Sequence, residues 1–105
     1  GGSPDAVRRI ASYFVAPGTP LVTFHMRNAA PTTSTSEAVP GGRMQVPLYV
    51  LTSNRAASAA EEFVSHVARL GFGTLVGETT AGAAYRNEHY AVPGGFVISV
   101  SVGYP

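Results

Sequence analysis

Apolar residues along the chain change their period several times, and each change marks an element. Val7, Ile10, Ala11 and Phe14 recur at three and four, so residues 4–15 are predicted to form an amphipathic helix. Ser3 supplies a cap, Pro4 sits in the first turn where a missing N–H costs nothing, and Asp5 favours the positive end of the dipole. Pro17-Gly18 stops the helix. The stretch 20–28, rich in Leu, Val, Thr and Phe, predicts a strand. Residues 29–43 combine Pro31, Pro40, Gly41 and Gly42 with a Thr/Ser cluster and predict a long surface loop.

A nearly continuous apolar run over 46–51 has the character of a strand buried on both faces, as in a parallel sheet. Ala59, Phe63, Val67 and Leu70 then repeat at three and four within 56–70, with Gly71 as a stop, and give the clearest helix in the chain. A short buried strand at 74–76 and a loop at 77–84 follow. Strands at 89–92 and 96–102 flank Pro93-Gly94-Gly95 and predict a hairpin turning on the glycines. The order helix, strand, strand, helix, strand, hairpin predicts an α/β fold with a right-handed strand-helix-strand crossover between residues 46 and 76.

Composition narrows the function. The 105 residues are the length of one domain, 45% of them are hydrophobic and only 12% are charged, against roughly 25% charged in an average soluble domain. A formal net charge of +1, spread over seven scattered arginines, provides no clustered basic surface for nucleic acid or an anionic membrane. No apolar run approaches the roughly 20 residues that span a bilayer. Cysteine is absent, which removes disulfides, thiol nucleophiles and thiolate metal sites; lysine is absent too. No His/Asp/Glu cluster has metal-ligand spacing, so neither a metal nor another cofactor is expected. The opening Gly1-Gly2-Ser3-Pro4 reads as the middle of a loop, and Val102-Gly103-Tyr104-Pro105 follows directly on a strand-like run. Residues 1–105 are therefore expected to be one partial domain, cut at both ends.

The segment LTSNRAASAAEEF, residues 51–63, runs from a strand through a short turn into a helix N-terminus. Free backbone N–H groups there can stabilise an oxyanion formed in acyl transfer, and the small neighbours of Ser58 would admit a peptide backbone. Ser58-Ala59-Ala60-Glu61 is equally a capping box, S-x-x-E. Spacing alone leaves both roles for Ser58 open.

This run, with the strand-loop GTLVGETTAGAA at 73–84 and the opening GGSPDAVRRIASYF, resembles the catalytic core of the tail-specific (C-terminal processing) serine protease family. The similarity is strongest to its tricorn-core and interphotoreceptor-retinoid-binding-protein-like branch. The three segments span nearly the whole chain in the family's order. The resemblance implies a crotonase/ClpP-like layered spiral of strand-strand-helix units, here a partial domain. It also implies Ser58 as nucleophile, one oxyanion N–H at Ala59 and a second from the glycine loop, at Gly1 or Gly2. A peptide or protein substrate and a periplasmic or secreted location follow from the same likeness.

The chain departs from the family where the serine is activated. One branch uses a lysine in a T-x-G-K-G loop; the matching residues here are Thr80-Ala81-Gly82-Ala83-Ala84, so Ala83 stands at the lysine position. The resemblance to the tricorn-like branch then implies a histidine base oriented by an acid. His66 lies eight positions along the same helix, about 12 Å at 1.5 Å per residue, beyond reach of Ser58, and is expected to be partly exposed. No spacing links His25 or His89 to Ser58. The resemblance would put the histidine upstream of Gly1 and the acid after Pro105, leaving the isolated chain inactive. Glu61 is expected to close the cap, Glu62 to face solvent and Glu78 to terminate its strand.

A non-catalytic module of the same fold that binds a retinoid, another lipid or a peptide is the alternative, motivated by the hydrophobic content and the missing lysine. Exposed strand edges would also allow self-association.

Overall fold

The computed structural model describes residues 1–105 as a mixed α/β chain. Its elements are α1 (Pro4–Ser12), β1 (Pro20–Met26), β2 (Thr32–Thr35), β3 (Tyr49–Thr52), α2 (Ala59–Leu70), β4 (Thr74–Gly77), β5 (Arg86–Val92) and β6 (Phe96–Tyr104). The strands form an antiparallel sheet in the order β2-β1-β6-β5 and a separate parallel pair, β3-β4. The buried apolar side chains are Val7, Ala11, Val15, Leu21, Ala59 and Val67, so the core lies where α1, α2 and the start of β1 meet. Phe72 extends it by stacking on Phe14 at 5.8 Å between ring centroids and meeting Phe63 at 6.1 Å.

Every expected helix and strand is present, with shifted ends. Helix α1 stops at Ser12 instead of residue 15, because the chain tightens into a turn in which the Tyr13 and Phe14 N–H groups donate to Ile10 and Ala11. Helix α2 begins at Ala59, three residues late, because Ser58 leaves helical geometry. The hairpin is longer than expected, pairing Arg86 through Val92 against Phe96 through Gly103.

Two expectations are corrected. The segment 29–43 is not loop throughout: Thr32–Thr35 pairs antiparallel with β1, with the Thr23 and Thr33 hydroxyls 2.7 Å apart across the ladder. A strand made of Thr and Ser has no apolar periodicity, and its pairing depends on an edge offered by a distant segment. Neither strand of the parallel pair is buried as expected: Leu51 is 82% exposed, and Tyr49 of β3 and Leu75 and Val76 of β4 are exposed too. The β3-β4 pair has α2 against one face, and nothing in this chain covers the other.

Gly77 ends β4 at φ 131°, and a Cβ there would lie 2.1 Å from the Thr52 carbonyl oxygen. The closing rung of the parallel pair, Thr52 against Gly77, therefore requires glycine. Because β3 and β4 are held in register, the turn leaving β3 is set directly beside the loop leaving β4. The hairpin, by contrast, meets β1 only at its base, through His25 opposite Tyr104 and Met26 opposite Gly103. Its outer part projects as a two-stranded arm in a molecule measuring 50 × 32 × 21 Å.

Candidate active site

Ser58 occupies the turn between β3 and α2 with φ 61° and ψ −131°, and it is the one residue other than glycine with positive φ. A side chain in this region costs about 1–3 kcal/mol and persists only where the surroundings hold it. Those surroundings are explicit. The Ser58 N–H donates to the Ala83 carbonyl at 2.8 Å and to Glu61 Oε2 at 3.2 Å, while the Ser58 carbonyl accepts from the Glu61 and Glu62 N–H groups. Ser58 and Glu61 are placed as a capping box, yet the Ser58 hydroxyl makes no cap hydrogen bond and the residue is exposed. The backbone is pinned and the hydroxyl is left free.

Glu61 does more than close a cap. Its carboxylate also accepts the Gly82 N–H at 2.5 Å and the Ala83 N–H at 2.7 Å, fastening the loop after β4 to the start of α2. The Thr80 side chain, and then the N–H groups of Gly82, Ala83 and Ser58, hold the carboxyl below its ordinary value of 4.5 despite the opposing effect of burial. Glu61 is 6% exposed, so its charge is retained by these donors and not by water.

The glycine loop comes to the same place. The nitrogen of Gly1 donates to the Ala57 carbonyl at 2.8 Å. Gly2 has φ 122°, a conformation that favours glycine, and packs on Ala59, whose Cβ lies 3.7 Å from where a Gly2 Cβ would be. Ala59 is the first residue of α2, so its N–H has no partner within the helix. Gly2, Ser58 and Ala59 together line one end of a cavity of about 500 Å³. An exposed hydroxyl at a strained strand-to-helix turn, beside unpaired backbone N–H groups and an open cavity, is suited to acyl transfer.

The pattern of Peptidase family S41 matches residues 1–104. The chain belongs to that family. Solved structures agree in fold. A photosystem II D1 C-terminal processing protease superposes with a TM-score of 0.76 at 23% identity, over 99% of this chain and 26% of its own. A protein from Parabacteroides merdae described provisionally as a peptidase gives 0.76 at 24% identity, over 98% of this chain and 35% of its own. A Bacteroides fragilis protein described provisionally as an S41 protease gives 0.77 at 21%, over 99% and 30%. The S41 chain thus spans about a third or less of the length of these structures.

Other charged residues of this S41 chain are placed less simply. Glu78 follows β4 as expected and secures the neighbouring turn: its N–H donates to the Thr52 carbonyl and its Oε2 accepts the Asn54 N–H at 3.2 Å. His25 stacks on Tyr104 at 5.1 Å between rings and does not line the Ser58 cavity, whereas His89 does.

Two expectations about α2 are overturned. His66 is 3% exposed instead of partly exposed, and the Glu62 side chain is 10% exposed instead of facing solvent. They pair at 3.3 Å through His66 Nε2 and Glu62 Oε1. Both lie on the helix face that looks across the cavity toward β1 and the base of the hairpin. The i,i+4 spacing of Glu62 and His66 was a readable signal that they are neighbours; their burial was not, since it depends on strands far away in sequence. No three His, Asp or Glu side chains gather at metal-binding distance, and no helix is long and apolar enough to cross a membrane.

Proposed function

We propose that residues 1–105 form the nucleophile-bearing part of a serine endopeptidase catalytic domain, acting on peptide or protein substrates through an acyl-enzyme at Ser58. The observation that carries this reading is the left-handed backbone of Ser58, held by the Ala83 carbonyl and the Glu61 carboxylate while its hydroxyl stays free. In the reaction, Ser58 Oγ forms a bond to the scissile carbonyl carbon and its proton passes to a base. The negative oxygen is held by the Ala59 N–H and by a glycine-loop N–H, from Gly1 or Gly2. Collapse breaks the C–N bond, the base returns the proton to the leaving amine, and water later hydrolyses the ester.

The base and its acid are assigned to segments outside these residues. With Ala83 at the lysine position and no lysine in the chain, a Ser-Lys dyad has no amine. The isolated chain is therefore expected to be silent, and a longer protein extended at both ends to be active in a periplasmic or extracellular setting. Peptide hydrolysis by the longer protein, abolished in Ser58→Ala, is the expected result. Hydrolysis by the isolated chain that vanishes in Ser58→Ala would contradict its silence.

The second reading is a binding module for a hydrophobic ligand. An apolar cleft of about 290 Å³ between α1, α2 and β3, lined by residues including Ile10, Val50 and Phe63, gives it a location. Ligand pockets usually enclose about 300–1,000 Å³. A cleft at the lower edge of that range, on a different side of α2 from the Ser58 cavity, favours the peptidase reading.

A further inference from the structure

The wall of the Ser58 cavity formed by α2 is polar. Ser58, Glu62, His66 and Arg69 recur at helical spacing and line it, opposite Leu21 and Phe24 of β1. Glu62 is one turn from Ser58, about 6 Å along the axis. Its Oε1 accepts the His66 Nε2–H, while its Oε2 has no hydrogen-bond partner. Neither arginine of the cavity neutralises it: Arg69 donates to the Leu21 carbonyl and Arg86 lies over the Phe24 ring, 5.6 Å from its centroid. A carboxylate offers about four acceptor sites, so the unpartnered Oε2, on a side chain that lines the cavity, can take a charged or hydrogen-bonding partner.

Building on the peptidase reading, we propose that Glu62 is a specificity-determining residue that receives a Lys or Arg side chain flanking the scissile bond, with His66 as its positioning residue. Two observations support the assignment, the unpartnered oxygen and its place in the cavity. The free oxygen of Glu62 belongs to a side chain that lines the cavity one turn from the nucleophile, the distance of a neighbouring substrate side chain.

The charge of the transition state adds a reason for a cation. An oxyanion forming at the N-terminus of α2 is opposed by an ionised Glu62 one turn away. A substrate cation seated on Glu62 removes that opposition, so the same contact favours both binding and turnover. His66 serves the carboxylate alone: its ring is buried, Nδ1 has no partner, and its single hydrogen bond goes to Glu62. With Nε2–H as donor, the imidazole fixes the Glu62 rotamer and leaves Oε2 for the ligand.

The test is equilibrium binding to the full 105-residue chain of acetylated, amidated alanine hexapeptides carrying Lys, norleucine or Glu at one central position. The Lys peptide should bind at least about tenfold tighter than norleucine, the discrimination of one charge-assisted hydrogen bond, and the Glu peptide most weakly. Glu62→Gln should abolish the Lys preference and leave norleucine binding unchanged, with circular dichroism confirming the fold. His66→Gln, which keeps an N–H donor, should retain more of the preference than His66→Leu.

Equal affinity for Lys and norleucine in the wild-type chain, or a Lys preference that survives Glu62→Gln, overturns the assignment of Glu62 while leaving peptide binding intact. A full preference in folded His66→Leu overturns the role of His66. Failure of every peptide to bind the folded chain at millimolar concentration overturns this inference, whereas the peptidase reading fails separately if a longer protein extended at both ends does not hydrolyse peptide through Ser58.

Discussion

The Glu61 carboxylate accepts the backbone N–H of Ser58 at 3.2 Å and, with the same two oxygens, the N–H groups of Gly82 and Ala83. One side chain therefore joins the turn that carries the candidate nucleophile to the loop that follows β4. Replacing it by alanine leaves three backbone donors without that acceptor in a buried place. Glu61→Ala should lower the melting temperature by several degrees and Glu61→Gln by less, as read by circular dichroism.

The same contacts predict a pH dependence. The folded Glu61 carboxyl titrates below its ordinary value of 4.5, so its contribution to stability is fully present above that value and is lost as the pH falls through the lowered folded value. The difference in melting temperature between wild type and Glu61→Gln should be constant from about pH 7 to about pH 5 and shrink below about pH 4.5. A difference that persists unchanged at the acid limit would contradict the assigned cause.

Ser58 stores strain that glycine would not. Ser58→Gly should stabilise the chain by up to about 1 kcal/mol in denaturant unfolding, while Ser58→Ala should change stability little. A clear loss of stability in Ser58→Gly would mean that the hydroxyl has a structural partner and that the turn is not strained.

Gly77→Ala should be among the most damaging substitutions, costing about 3 kcal/mol or more, because its Cβ would meet the Thr52 carbonyl and its φ would oppose any side chain. Urea unfolding measures the loss. Since the Thr52–Gly77 rung aligns the Ser58 turn with the loop after β4, peptide binding should weaken as well.

The arm formed by β5 and β6 exposes Tyr90, Phe96, Val97 and Ile98, and the β3-β4 pair exposes Leu51 and Val76. Such surfaces and free edges favour association with another chain. Sedimentation velocity should show a concentration-dependent oligomer that Ile98→Lys shifts toward monomer. A monomer at every concentration would contradict this.

The parts legible in the sequence are those whose signals are local. The apolar period of α2, the glycines at 94 and 95 between two strand-like runs, and the Ser58 to Glu61 spacing each depend on neighbours along the chain, and each appears where expected. What was hidden depends on distant segments. Thr32–Thr35 becomes a strand because β1 offers an edge, Glu62 and His66 pair on a helix face that looks across a cavity toward β1 and the hairpin, and Leu51 is exposed on a face of β3 that no element packs over. The left-handed backbone of Ser58 was hidden as well, since the S-x-x-E pattern fits an ordinary cap; its geometry is imposed by the Ala83 carbonyl twenty-five residues away.

The role of Ser58 as nucleophile is tested by labelling with an active-site fluorophosphonate, applied to the 105-residue chain and to a longer protein extended at both ends, with the modified residue located by mass spectrometry. The longer protein should be modified at Ser58, Ser58→Ala should abolish the reaction, and the 105-residue chain should stay unlabelled although folded. A folded longer protein that leaves Ser58 unmodified, or is modified elsewhere, would contradict that role.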